Sequence, residues 1–126
     1  MSNVKIGNLE AEITLAVQQY TESVAEAIKK EIAKTAKAVL EETRNTSPVR
    51  TGKYKAGWKC KKETADGQVK YTIHNKNKPW LVHLLEFGHA KKSGGRVSGR
   101  PHLQPAYDKH VPDMEERIKK IIESGG

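Results

Sequence analysis

The fold of this chain is decided by residues 58–74, which read WKCKKETADGQVKYTIH. Apolar side chains alternate with polar ones on both sides of the dipeptide Asp66-Gly67, which is the period of a β-strand. Asp-Gly is a favoured hairpin turn, so residues 56–75 are predicted to form a β-hairpin with one apolar face and one lysine-rich face. Two strands are only marginally stable alone, and the apolar face must therefore pack on a helix.

The helix that covers this hairpin is predicted over residues 9–45. Apolar residues recur every three or four positions along this range, and Pro48 stops the helix. A straight helix of this length would measure about 50 Å, which exceeds the span of so small a domain. Part of the helix is therefore expected either to project from the domain or to break. The expected place for a break is residues 20–23, where Ser23 and Glu26 have the spacing of a capping box.

Three further segments complete the predicted order of elements. Residues 80–87 form a short helical turn that Gly88 ends. Residues 89–100 are rich in glycine, serine and basic residues and poor in apolar ones, which predicts a mobile basic loop. Residues 105–124 have apolar residues at helical spacing and predict a C-terminal helix, which Pro112 either kinks or restarts.

The predicted fold class is α+β, with a single domain over residues 1–126. A long N-terminal helix packs on a small antiparallel sheet formed by the hairpin, and the short helix and the C-terminal helix complete the domain. No apolar run approaches the roughly 20 residues that a membrane span requires, so we expect a soluble protein without a membrane contact. The lone Cys60 fits a protein made in a reducing cytosol.

The net charge of +8 is concentrated in the middle of the chain. Residues 47–104 contain thirteen lysines and arginines against three carboxylates, whereas the segments on either side are close to neutral. A positive region of this kind favours an anionic partner surface, either nucleic acid or an acidic protein. Solubility alone also accounts for such a charge excess.

The sequence shows no arrangement typical of a catalytic or metal site. The five histidines include no i, i+4 pair, and Cys60 has no cysteine companion, which argues against a zinc site. In the basic middle of the chain, Glu63, Asp66 and Glu86 are too scattered for metal-dependent phosphodiester cleavage. We therefore expect a protein that is not an enzyme and that holds no cofactor and no metal ion.

A basic nucleic-acid-binding module, or a nuclease accessory, is the alternative interpretation. The polar face of the predicted hairpin could lie against a phosphate backbone, while Arg96 and Arg100 could reach a groove. The predicted strands show no exposed aromatic pair for base stacking, and the sequence has neither helix-turn-helix nor zinc-finger spacing. These features therefore give the interpretation no support. A non-specific contact with DNA stays open, and the residues that would make it are Lys59, Lys61, Lys70, Thr72 and His74.

Three segments together resemble a known protein family. They are residues 47–54, which read SPVRTGKY, residues 80–88, which end in EFG, and residues 100–106, which read RPHLQPA. Their order and spacing are similar to those of small tail-completion, or head–tail joining, proteins of long-tailed bacteriophages and prophages. The resemblance covers about residues 44–124, with two departures. His102 stands where the family usually has a large apolar residue, and the loop over residues 89–100 is long and basic.

This resemblance implies a structural protein of the virion that is made in the bacterial host cytoplasm and is not an enzyme. Such proteins form a ring, usually of six copies, at the head-proximal end of the tail. There they contact the tail tube protein and the connector or stopper proteins of the head. Copies of this chain, together with those neck and tail proteins, are therefore the expected partners.

The resemblance also implies roles for individual residues. Thr51 would cap the turn that leads to the hairpin, Glu86 and Gly88 would fix the start of the basic loop, and Pro101 and Pro105 would fix its end. The complete set of structural motif residues is Pro48, Thr51, Gly52, Glu86, Phe87, Gly88, Pro101, Leu103 and Pro105. Ordering the loop costs conformational entropy, which contacts between its basic residues and an acidic surface would offset. The expected partner contacts are therefore Lys91, Lys92, Arg96 and Arg100.

Overall fold

A computed structural model describes residues 2–6, 10–49 and 52–125, with side chains for the last two ranges. It contains six strands and four helices in the described ranges, which confirms the α+β class. They are β1 (Ser2–Ile6), β2 (Glu10–Ala16), α1 (Glu22–Thr46), α2 (Lys53–Ala56), β3 (Trp58–Ala65), β4 (Gln68–Asn75), α3 (Pro79–Phe87), β5 (Gly88–Ala90), β6 (Arg96–Ser98) and α4 (Leu103–Ser124).

The main sheet has four antiparallel strands in the order β1-β2-β4-β3. The predicted hairpin is present as β3 and β4, although it begins at Trp58 and not at residue 56. Asp66 and Gly67 both have positive φ angles, of 54° and 72°, as the predicted tight hairpin turn requires.

The prediction of one helix over residues 9–45 is wrong in its first part. Residues 10–16 form strand β2, which pairs along β4 so that Ala11, Ile13 and Leu15 lie opposite residues 73, 71 and 69. These three side chains are buried, while Glu10 and Glu12 alternate with them and are partly exposed. The same apolar residues fit a period of two, and β4 offered an open edge for pairing.

Helix α1 begins where the break was expected, although the capping residue differs from the prediction. The N-cap is Thr21, whose Oγ1 accepts a hydrogen bond from the backbone N–H of Val24 at 3.4 Å, and not Ser23. The helix ends at Thr46, directly before Ser47 and Pro48. Leu9, the predicted first residue of the helix, lies outside the described residues.

The core forms where α1 lies on the apolar face of the sheet, as the hairpin pattern predicted. Trp58, Val69 and Ile73 are buried, whereas Tyr71 is only partly buried at the edge of the core. The buried residues of α1 that share this core are Val24, Ile28, Ile32, Ala36 and Val39.

Helix α4 packs along α1 on apolar side chains that include Met114 and Ile118, and polar contacts border this seam. Glu42 Oε1 lies 3.1 Å from both Lys109 Nζ and His110 Nε2. Burial raises the pKa of Glu42, but the hydrogen bonds and positive charges of these two partners outweigh it, so the pKa lies below its usual value.

Two further predictions about secondary structure need correction. Residues 89–100 are not a loop without secondary structure, because β5 and β6 form a short antiparallel hairpin there. Its turn is closed by a hydrogen bond from the Lys91 N–H to the Gly95 carbonyl at 3.0 Å. The C-terminal helix begins at Leu103 and not at Pro105, and it continues through Pro112 without a second start. None of the helices in the described ranges is both long and apolar enough to span a bilayer.

The packing of the hairpin on α1 leads to a stability prediction for Ile73→Ala. Ile73 is fully buried and lies opposite both Ala11 and Cys60, so its truncation leaves a cavity between β4 and α1. We expect a loss of about 2–5 kcal/mol in the free energy of unfolding, measured by urea titration. Lys61→Ala on the exposed face of the same hairpin is the control, and equal midpoints for both variants would contradict this packing.

Candidate interaction surface

Glu86 is the centre of a buried polar network that joins the short helix α3 to the start of α4. Its side chain is almost completely buried, although it is a carboxylate. Oε1 accepts hydrogen bonds from the backbone N–H groups of His102 and Leu103 at 3.0 Å each, and Oε2 accepts one from Gln104 at 2.9 Å. Glu86 therefore caps the N-terminus of a helix distant in sequence, where a negative charge is favoured.

His102 extends this network to the segment that precedes the main hairpin. Its Nε2 lies 2.6 Å from the hydroxyl of Tyr54, and its Nδ1 lies 2.7 Å from the Arg100 carbonyl and 3.0 Å from Glu86 Oε1. Burial, and next the negative charge of Glu86, raise the pKa of Tyr54, so its phenol keeps its proton. Both neighbours of Nδ1 are acceptor oxygens, so Nδ1–H donates to them, and Nε2 shares one hydrogen bond with the Tyr54 hydroxyl.

An aromatic cluster surrounds this histidine. The rings of Tyr54, Trp58 and His102 meet edge to face, with centroids 5.6–5.8 Å apart. The indole N–H of Trp58 donates to Ser47 Oγ at 2.7 Å, and Ser47 Oγ donates to the Thr43 carbonyl at 2.6 Å. The imidazole of His102 is thus buried, and both of its nitrogens have polar partners.

The base of the β5–β6 hairpin is held closely against α3. Gly88 has a φ angle of 79°, and a Cβ atom built there would lie 2.2 Å from the Val97 carbonyl oxygen. The Arg100 N–H donates to the Leu85 carbonyl at 2.7 Å, so both ends of the hairpin are anchored at the C-terminus of α3. Only glycine fits at position 88, because a side chain would push the two strands apart.

Asn75 belongs to the same region and was not singled out from the sequence. Its Nδ2 donates to the Tyr54 carbonyl at 2.7 Å, and its Oδ1 accepts from the Lys78 N–H at 2.9 Å. It therefore connects the end of β4 to the segment before the hairpin and to the start of α3. Asn75 continues the buried face of β4 after Ile73, and this position in the strand period is the signal that could have found it.

The four expected partner contacts lie on or beside the anchored hairpin. Lys91, Lys92 and Arg96 are exposed, and the Arg96 guanidinium donates to the Phe87 carbonyl at 3.1 Å. Arg100 is also exposed and lines a groove of about 520 Å³ beside α3. The other residues that line this groove are Pro48, Val49, Tyr54, Lys78, Trp80, Leu81 and Leu85.

Helix α3 presents an apolar stripe to solvent that the sequence interpretation missed. Trp80, Leu84 and Phe87 are spaced i, i+4, i+7 and are 60%, 37% and 47% exposed. The opposite side of the same helix is buried through Val82 and Glu86. Apolar residues all around a short helix are the signal that could have found the stripe, because only one side can face the core.

The outer face of the sheet is less basic than the hairpin pattern predicted. Strand β2 places Glu10 and Glu12 beside β4, where Glu12 lies 3.5 Å from Lys70 Nζ, and Glu63 lies 3.6 Å from Lys61 Nζ. The predicted lysine-rich face is therefore a face of mixed charge, in part because β2, which contributes Glu10 and Glu12, was read as helix. A phosphate backbone would meet negative charge there as well as positive.

The remaining motif residues lie around the same region. Pro48 lines the groove beside α3, Gly52 precedes α2 with a φ angle of 83°, and Pro101 and Pro105 are exposed at the start of α4. Leu103 is buried in the core. Thr51 lies outside the described residues. Among the residues that the structure describes, no three His, Cys, Asp or Glu side chains form a cluster that could hold a metal ion.

Comparison with known proteins identifies the family. A family model described as "Bacteriophage HK97-gp10, putative tail-component" matches residues 11–88, more than half of the chain. The matched range contains α1, the β3–β4 hairpin and α3, and it ends where the basic β5–β6 hairpin begins. No curated protein sequence and no solved structure matches the chain. The chain therefore belongs to the HK97-gp10-like family of bacteriophage proteins, which confirms the phage resemblance read from its sequence.

Proposed function

We propose that this protein forms a ring of identical subunits at the head–tail junction of a tailed phage or prophage, where it joins the tail tube to the head. Membership of a phage tail-component family supports a structural role in the particle. The observation that carries the proposal is the anchored basic hairpin, which projects exposed positive charge beside the exposed apolar stripe of α3. Surfaces of this composition are typical of protein–protein contacts.

The details of the network support a role in assembly. The hairpin is fixed at both ends, by Gly88 at its start and by the Arg100 hydrogen bond at its end. Glu86, on α3, is bonded to His102 at the start of α4, and His102 is bonded to Tyr54 on α2. These contacts hold α2 and α4 close to the end of α3, where the hairpin begins. A protruding element on a rigid base presents its charges in a defined direction, which limits the entropy that binding costs.

The alternative function, a basic nucleic-acid-binding module or nuclease accessory, has less support. The carboxylates of Glu10, Glu12 and Glu63 lie among the basic side chains on the outer face of the sheet. The exposed charges of Lys91, Lys92 and Arg96 lie on the β5–β6 hairpin, next to apolar side chains that a phosphate backbone would not cover. We therefore propose tail or neck proteins as the principal partners, in the ring of six copies that the resemblance implies.

Deletion of the gene from the phage or prophage tests this function. We expect filled heads and finished tails to accumulate unjoined, as seen by negative-stain electron microscopy, with infectivity restored by the parental gene in trans. Joined particles at the parental level would overturn the proposal. Particles without any tails would place the protein in tail formation and not in joining.

A further inference from the structure

Among the described side chains, the large hydrophobic residues that are exposed lie in one region of the surface. The exposed residues Val49, Trp80, Leu84 and Phe87 form the α3 face: the last three make the helical stripe, and Val49 lines the groove beside Trp80. Val49 and Trp80 are 64% and 60% exposed. Single apolar residues on a surface are ordinary, but a connected group of this kind marks an interaction site.

The border of the α3 face is positively charged. Lys78 and Arg100 line the groove, and the hairpin that follows Phe87 carries its exposed basic residues. In residues 76–101, all of which the structure describes, Glu86 is the one carboxylate, and it is buried with its oxygens bonded to the start of α4. A partner that covers this face therefore meets apolar surface edged by uncompensated cations, which favours carboxylates at matching positions.

The described surface of the chain argues against a second copy as the occupant. Among described side chains, the exposed large hydrophobic residues are the α3 face and Val97, which lies on the adjacent hairpin. A second copy that docked through another described surface would offer the stripe only apolar side chains that are partly buried in its own core, such as Tyr20, Ile121 and Ile122. Two copies that met face to face would bring their basic hairpins together, and like charges across an interface are unfavourable.

We infer that the α3 face docks a different protein, whose contact surface is apolar and edged by carboxylates, and that copies of this chain meet through other surfaces. This inference rests on the proposed role in the phage particle and names the chemistry of one partner. The groove between Val49 and Trp80 would take an apolar side chain, with Lys78 and Arg100 placed to pair with carboxylates beside it.

Photo-crosslinking in assembled particles tests the inference. The full chain, with p-benzoylphenylalanine in place of Leu84, is supplied in trans to a phage that lacks the gene, and purified particles are irradiated and analysed by mass spectrometry. The same reagent in place of exposed Lys37 on α1 is the control. If the substitution at position 84 prevents incorporation, the reagent is placed at exposed His83 on the same helix.

The expected product joins position 84 to a different protein, at a segment with carboxylates beside apolar residues, while the control position does not label that segment. An adduct with a second copy, with DNA, or with a segment that lacks carboxylates would overturn the inference and leave the proposed function standing. If the particles contain the protein but neither α3 position gives an adduct, the inference is likewise overturned and the proposed function stands. If particles made with the parental chain do not contain it, the proposed function and this inference are overturned together.

Discussion

Replacement of Glu86 by alanine is expected to destabilise the fold by about 3 kcal/mol or more, because a buried donor that loses its partner costs about 1–3 kcal/mol. Three backbone N–H groups, those of residues 102–104, would lose their acceptor at once. The alanine variant also relieves the cost of burying a carboxylate, which reduces the loss. The unmet donors outweigh this relief, because they belong to the first turn of α4 and lie beside the core.

The measurement is urea unfolding of the purified protein at neutral pH, followed by circular dichroism. Glu86→Gln is the matched control, since its amide oxygen can still accept from the N–H groups of His102 and Leu103. Its NH2 group would face the remaining donor, so an intermediate loss of stability is expected. A Glu86→Ala variant with parental stability would show that the cap contributes nothing to folding.

Much of the fold could be predicted from local patterns. The Asp66-Gly67 turn, the alternation that flanks it and the glycine after α3 each have one physical meaning within a few residues. Residues 10–16 could not be assigned this way, because their apolar positions fit both a helix and a strand. The open edge of β4, about sixty residues further along the chain, decided between them.

The candidate site was less accessible to sequence interpretation. Glu86 was expected to fix the start of the basic loop, but its hydrogen-bond partners are His102 and the first residues of α4, beyond that loop. The contact between Tyr54 and His102 joins residues 48 positions apart, and no local period encodes it. Periodicity does reveal that α3 is apolar on several sides, but which side stays exposed depends on where the rest of the chain packs.

The exposed hairpin allows function to be separated from stability. The triple variant Lys91→Glu, Lys92→Glu, Arg96→Glu should fold like the parent, because these side chains are exposed and surface substitutions change stability by about 0.5 kcal/mol or less. The hydrogen bond from Arg96 to the Phe87 carbonyl is also exposed, so its loss costs little. Thermal unfolding of the purified variant checks this part of the prediction.

Head–tail joining by the same triple variant should fall to the level of the gene deletion. The hairpin is anchored at Gly88 and Arg100, so its three reversed charges would face an acidic partner from a fixed position and repel it. The matched control is Lys30→Glu, Lys34→Glu, Lys37→Glu on exposed positions of α1, which changes the net charge equally and should leave plaque titre unchanged. An equal loss of titre in the two triple variants would mean that total charge, and not the hairpin, matters for joining. If the hairpin variant kept the parental titre, the hairpin would not be part of the assembly contact.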